Sequence, residues 1–452
     1  MASKVKKGFL YYIAWLAFIV VGVACIFACV LIFNPGKDVF GINLRWVSDT
    51  RYVEYQKIND TWFKDANITT IEFNSTYTNF SVVKNDAYVI TTLGLNKHII
   101  GFSDSDTYTY STDIKLDGTT LKITVTEPKL SLPLGPNATM TLFCPMDLDL
   151  NNISFKVNTT SGGIGFGAQG SNTIVNVKDV DIVTENGGIN IASNAKIASG
   201  NLDITSKNST TYIYTNIANQ LNIETESSNV YIEKISGNLN ISATELKVDA
   251  KKILGNVQFC SQKGYMKIDE LGDLTNKING NFTAEVDQMH IANIVIGKMA
   301  GNLTLPSSEA SSINVGELYG EALIETSSGD VKIENAYKDL SITSNTGSVT
   351  FTQNSDTSYC DIKTAKGKIV ATFNAIKTAE LESENGNIEI NAKDGLKFNL
   401  DYNAGKNINV SWITTQLNKV GVITSAAVDQ GQTTTNTITA KTLQSITVKN
   451  FQ

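Results

Sequence analysis

Two stretches decide the fold: Ile324-Glu325-Thr326-Ser327-Ser328-Gly329-Asp330-Val331-Lys332-Ile333 and Ile342-Thr343-Ser344-Asn345-Thr346-Gly347-Ser348-Val349-Thr350-Phe351. Each opens on an apolar anchor, places Ser or Thr two residues on, turns at a sixth-place Gly, and closes on apolar residues at the eighth and tenth places. The same pattern recurs at 157–166, 182–191, 223–232 and 381–390. The period inside each copy is two, so the units are strands, with anchor, Ser/Thr and closing pair all pointing inward.

Weaker copies fill the gaps, opened by Ile204, Ile241, Phe259, Phe282, Leu303 and Ile362, and a last one opens at Leu400. From 157 to 381 the anchors recur about every 20 residues, which identifies a solenoid rather than a sandwich. A leucine-rich repeat is excluded, because the leucine consensus and helical return are missing. The expected fold is all-β: a single-stranded, right-handed-type β-solenoid of about 13 coils of about 20 residues, with strand pairing from coil to coil. The tenth-place column is expected to run through Phe166, Ile191, Ile213, Ile232, Ala250, Ile268, Ile291, Ser312, Ile333, Phe351, Ala371 and Ile390. The place before the anchor carries Asn222, Asn240, Gln258, Asn281 and Asn302, read as an amide ladder along the rod.

Outward from the repeat, residues 67–155 show strand alternation without a clear period and are read as a β-rich N-terminal cap. Residues 34–66 are read as a stalk or irregular cap, 156–430 as the solenoid, and 431–452 as a C-terminal strand closing the last coil. Residues 9–33 hold no charged side chain, follow Lys4, Lys6 and Lys7, and carry Tyr11, Tyr12 and Trp15 near one end. This predicts one transmembrane α-helix over 9–33, a cytoplasmic tail over 1–8, and an exported remainder. A cleaved signal peptide fits less well, since the run is too long and lacks a small-residue cleavage site. A lipoprotein box at Ile26–Cys29 is opposed by Phe27 and by the apolar residues that follow.

The Ile-x-Ser/Thr-x-x-Gly-x-Val/Ile-x-Ile/Phe units at 182, 324, 342 and 381, with the turn at Asp117–Ile123 and Phe143-Cys144-Pro145, resemble the bacterial putative-adhesin family, a β-strand-repeat domain of unknown function. The resemblance covers roughly 67–410, departs at the coils of 204, 241 and 303 where the turn Gly is absent, and brings no catalytic residues. It implies adhesion by non-catalytic contacts.

Composition narrows the function further. The chain has 452 residues, a formal charge of -7, 18% charged residues and 2 His. Arg occurs only at Arg45 and Arg51, so nucleic acid is an unsuitable partner. Cys144, Cys260 and Cys360 are too few and too far apart for a disulfide framework. No metal-ligand spacing, P-loop or nucleophile elbow occurs, and Gly165–Gly170 matches a dinucleotide fingerprint but is followed by a strand-like run. No cofactor, no metal and no catalytic residue are expected. Asp179, Asp181 and Asp203 form the best acidic group, read as a solvated face.

Candidate binding residues are Tyr212, Tyr214 and Tyr231, which should stack outward in neighbouring coils and suit a sugar. The same pattern also serves to stabilise a sheet. Loops near 167–178 and 270–280 are further candidates, because the coils holding them are long. The expected protein is a membrane-anchored, single-pass cell-surface rod, with its C-terminal domain outside the cell. Its expected partners are the membrane through 9–33 and a surface glycan or protein. A self-associating envelope scaffold is the alternative, and a carbohydrate-active enzyme a minor one.

Overall fold

The computed structural model describes residues 11–25, 51–57, 67–85, 90–96, 111–127, 137–145, 149–168, 172–197, 200–284, 293–308, 312–425 and 434–451. The chain is mostly β, and consecutive parallel strands stack into a solenoid-like array. The period of two decides which residues face in: Ala322–Thr326 buries every second side chain, and Asp330–Ala336 buries Val331 and Ile333 before a register shift brings Ala336 inward. The anchors pair in register from coil to coil, Val157 with Ile182, Ile182 with Ile204, Ile204 with Ile223, and on through Ile241 to Phe259. Ile324, Ile342, Ile362 and Leu381 continue the column, all buried. Each inward residue therefore sits on its own counterpart ~4.8 Å away, and the core is one continuous apolar column.

Two coils are offset from the sequence expectation. Phe282 pairs with Val257, two residues before Phe259, and Leu303 pairs with Phe282. The anchor column there runs through Ala284 and Leu305 instead. The tenth-place column accordingly takes Ile296 and Val315, which pair with Ile268 and Ile333. Ser312 pairs with Asn293 and Asp330 off that column, and Ile291 lies outside the described residues. For the anchors the physical reason is the period itself: a slip of one residue would turn every side chain over, whereas a slip of two keeps the pattern intact.

The amide ladder splits for the same reason. Asn240 donates to Asn222 at 3.0 Å, but Asn281 and Asn302 belong to another column with Asn238 and Asn256. There each side-chain oxygen accepts the backbone N–H of the next coil: Asn256 to Asn238 at 2.9 Å, Asn281 to Asn256 at 3.1 Å, Asn302 to Asn281 at 2.8 Å. Each of these Asn follows a glycine at a corner where backbones touch. A Cβ on Gly301 would lie 2.5 Å from the carbonyl oxygen of Gly280.

Both ends depart from sequence order. Thr70–Ser75 and Asn79–Asn85 lie between the coil of Ser154–Phe166 and an outer coil made by Thr120–Thr126 and Asn137–Pro145. At the other end, Thr437–Thr442 and Ile446–Phe451 lie between the coil of Thr378–Lys393 and the outer coil of Asn399–Val410. The C-terminal strands thus sit one coil inside the end, where their two sides are both paired.

The transmembrane helix expected over 9–33 is overturned. Among the described residues the helix covers 11–25, about 22 Å at 1.5 Å per residue against a ~30 Å hydrocarbon core, and residues 9, 10 and 26–33 of the expected span lie outside them. Among the described residues no helix is long and apolar enough to cross a membrane. The single-pass localisation built on that span falls with it.

Candidate functional site

Alternation puts Tyr212 and Tyr214 on the outer face of Asn201–Ile217, and register places Tyr231 of the next strand opposite Tyr212. The Tyr212 and Tyr231 rings lie 5.0 Å apart and 8° from parallel, and Tyr212 and Tyr214 lie 6.0 Å apart and 4° from parallel. The structure thus brings the three predicted residues into one stack, with Tyr212 in the middle, 37% exposed, and Tyr214 39% exposed. Glu233, Asp249 and Lys251 border the stack around a shallow recess of about 200 Å³. Lys251 pairs with Glu233 at 2.6 Å, so the recess offers polar groups of both signs beside aromatic carbon.

A second tyrosine pair lies outside the sequence expectation. Tyr319 and Tyr337 stack at 4.5 Å and 6°. The Tyr319 hydroxyl donates to Glu317 at 2.7 Å, and Lys298 reaches the same carboxylate at 3.2 Å. The hydrogen bond from Tyr319, with help from Lys298, lowers the Glu317 carboxyl, and the same bond pushes the Tyr319 phenol up. These residues follow Leu318 and Ala336, an inward column beyond the closing pair, so the ten-residue pattern holds no signal for them.

A trough of about 750 Å³ runs along the first strand of successive coils. Residues one and three places after the anchor form its walls: Asn158 with Thr160, Thr205 with Lys207, Ser242 with Thr244. Between them Thr159, Thr184, Ser206 and Thr225 point inward, and Ala243 takes the place in the coil of Ile241. Ser206 donates to Thr225 at 3.0 Å, and Gly187 donates its N–H to Thr184 at 2.9 Å. The trough is thus walled by mixed side chains at coil spacing, the hydroxyls and amides of Asn158, Thr160, Thr205, Ser242 and Thr244 interrupted by Val183, Glu185, Glu224 and Glu226, and the Lys207–Glu185 ion pair at 3.0 Å runs along one wall. A shorter trough of about 590 Å³ occupies the same strand positions near Glu325, Asn345, Lys363 and Glu382. The inward Ser/Thr was legible in the repeat; that its two neighbours would wall a groove was not, because the bend between strands is a tertiary feature.

The acidic group is divided. Asp179 accepts Ser154 at 3.1 Å and the N–H of Asn201 at 3.0 Å, serving a corner. Asp181 and Asp203 are register partners in adjacent strands. Burial first, and then the Asp203 charge, raises the Asp181 carboxyl. In the first long coil, Asn194 pins the loop by donating to the Thr173 carbonyl at 2.6 Å and accepting the Ala168 N–H at 3.0 Å. In the second, Asp273 and Ile278 bridge, and Asp273 accepts the N–H groups of Thr275 and Asn276, closing the loop on itself. His98 and His290 lie outside the described residues. Burial pushes the Cys144 and Cys360 thiols up to about 12, and the described cysteines form no disulfide.

Stacked parallel strands, inward hydroxyls and glycine corners define a β-repeat domain. Residues 283–422 match the family model described as Toastrack DUF4097. The expected β-strand-repeat resemblance is borne out over that stretch. No curated protein matches the chain. Among solved structures it is similar to a putative cell adhesion protein from Clostridium sporogenes, at 6% identity and TM-score 0.17, over 89% of this chain and 100% of that one. It is also similar to a putative adhesin from Bacteroides fragilis, at 12% identity and TM-score 0.18, over 76% and 98% of the two chains. A putative adhesin from Parabacteroides distasonis follows at 10% identity and TM-score 0.17, over 89% and 98%. TM-scores of this size carry no argument about fold or role.

Proposed function

We propose that this chain is a non-catalytic contact protein of adhesin type: a stiff β-solenoid that holds an extended ligand, a surface glycan or a protein segment, along one face. The observation that carries this is the trough, whose polar walls, hydroxyls and amides with carboxylates between them, line successive coils at the ~4.8 Å spacing. Such a track suits an extended polymer that offers hydrogen-bonding groups along its length. The tyrosine stack at Tyr212, Tyr214 and Tyr231 is the second contact, suited to the apolar face of a sugar ring. Rigid backbone pairing supports this reading, since little order must be gained on binding.

The full chain screened on glycan and cell-wall fractions tests the proposal. Ala243→Trp fills the trough and Tyr212→Ala breaks the stack. Loss of binding in the first with retention in the second assigns the trough; the reverse assigns the stack. Retained binding in both removes both sites. Turnover of neutral or acidic polysaccharide that disappears in Asp181→Asn would replace the contact reading with an enzyme.

A further inference from the structure

The C-terminal end of the stack carries a strand with one open side. Val420–Thr424 runs antiparallel to Asn399–Ala404, its one strand partner among the described residues. Ser425 donates its N–H to the Phe398 carbonyl at 2.9 Å, and Ala404 donates to the Lys419 carbonyl at 2.8 Å. In an antiparallel ladder, residues bonded to the neighbour alternate with residues whose N–H and C=O point the other way. Residues 419, 421, 423 and 425 therefore face Asn399–Ala404, and the backbone groups of Val420, Val422 and Thr424 face outward. The side chains add to this edge: Val420 is 61% exposed and Val422 70% exposed, with no charge and no Pro anywhere in the strand.

The opposite end differs. Its edge strand Ser111–Asp117 carries Asp113, Lys115 and Asp117, with Lys115 paired to Asp113 at 2.5 Å and Lys122 to Asp117 at 2.7 Å. Charges on an edge oppose strand addition, because pairing would strip their water. The Val420–Thr424 edge has no such protection.

We propose that Val420–Thr424 pairs with the same strand of a second copy, antiparallel about a two-fold axis through Val422. This register sets Val422 against Val422 and Val420 against Thr424. All outward backbone groups then meet outward backbone groups, and each copy contributes three N–H donors and three C=O acceptors. An uncharged edge fits a second uncharged edge, whereas the Ser111–Asp117 edge of another copy would bring Asp113 and Lys115 against bare valines. Such an isologous contact closes at two copies. It is independent of what the trough or the tyrosines hold.

Sedimentation velocity of the full chain over a concentration series tests this, with Val422→Pro, Val422→Lys and Val183→Lys. Proline is compatible with the fold at 422 because that N–H faces away from Asn399–Ala404. Val183 is an exposed aliphatic residue in the trough and controls for general stickiness. The expected result is a reversible dimer for the parent and Val183→Lys, with the dissociation constant raised at least about tenfold by both substitutions at 422. A parent that stays monomeric throughout, dimers that survive both substitutions at 422, or growth beyond two copies would each overturn it.

Discussion

The coils between Asn201 and Leu271 and those between Ala322 and Lys393 carry one repeat and turn its corner in two ways. In the first group the strands run 17, 16, 16 and 15 residues straight through the corner. In the first three the sixth-place side chains Ser209, Ser228 and Leu246 are buried, and in the fourth the sixth place is Gly264. Ser206 and Ser209 share a hydrogen bond at 3.0 Å, and Ser209 and Ser228 share another at 2.9 Å. In the second group the sixth place is Gly329, Gly347, Gly367 and Gly386, and the strands break there. A Cβ on Gly347, Gly367 or Gly386 would lie 1.9 Å from the carbonyl oxygen of the glycine one coil back. Gly264 also rests on the backbone one coil back, its added Cβ 2.1 Å from the Leu246 carbonyl oxygen, yet the strand Val257–Leu271 runs unbroken through it, so a sixth-place glycine permits the break without enforcing it. A side chain that the core accepts keeps the strand extended, and glycine lets backbone rest on backbone.

The largest expected effect tests what the two regions share. Ile342→Asp places a carboxylate between Ile324 and Ile362 and should cost about 4 kcal/mol or more; Ile223→Asp should cost as much in the long-strand coils. Thermal melting by circular dichroism reads both, and an unchanged melt in either would separate the two cores. The next test sharpens the difference. Gly367→Ala must displace a backbone and should cost about 3 kcal/mol, while Ser228→Ala loses hydroxyl bonds and should cost about 1 kcal/mol. The opposite order would break the account of the corners.

Smaller effects appear with pH. At the entry to the long-strand coils, Asp181 has a folded pKa above its ordinary 3.8. The native state therefore binds more protons than the unfolded chain between 3.8 and that raised value, and stability should rise as pH falls through this window. Asp181→Asn should flatten that rise in melting curves taken from pH 7 to pH 3.5. Glu389, in the glycine-corner coils, behaves in the opposite sense. Hydrogen bonds from Lys368 and Lys449 hold it below the ordinary 4.5, so its contribution is present above 4.5 and lost as pH falls through the depressed value. The Lys449 bond, at 3.1 Å, ties the inserted C-terminal strand to the coil beneath it. Glu389→Gln should lower stability by less than about 1 kcal/mol, because both lysines are half exposed. A loss well above that in denaturant titration would make the inserted strand depend on this contact.

The sequence by itself determined the strand character, the inward set and the recurrence. Ile324, Ile342, Ile362 and Leu381 are legible as one column because period-two burial and a steady spacing leave few other arrangements. The tyrosine stack was legible for the same reason, since equal places in neighbouring coils must be neighbours. Only the tertiary structure decided the offset at Ala284 and Leu305, since a shift of two residues leaves alternation unchanged. It alone decided that Thr437–Phe451 enters between two earlier coils. Those residues alternate like any other coil, and nothing local states which open edge a strand will join. The trough is tertiary in the same sense: its wall residues are ordinary polar side chains until the bend between strands sets them facing each other.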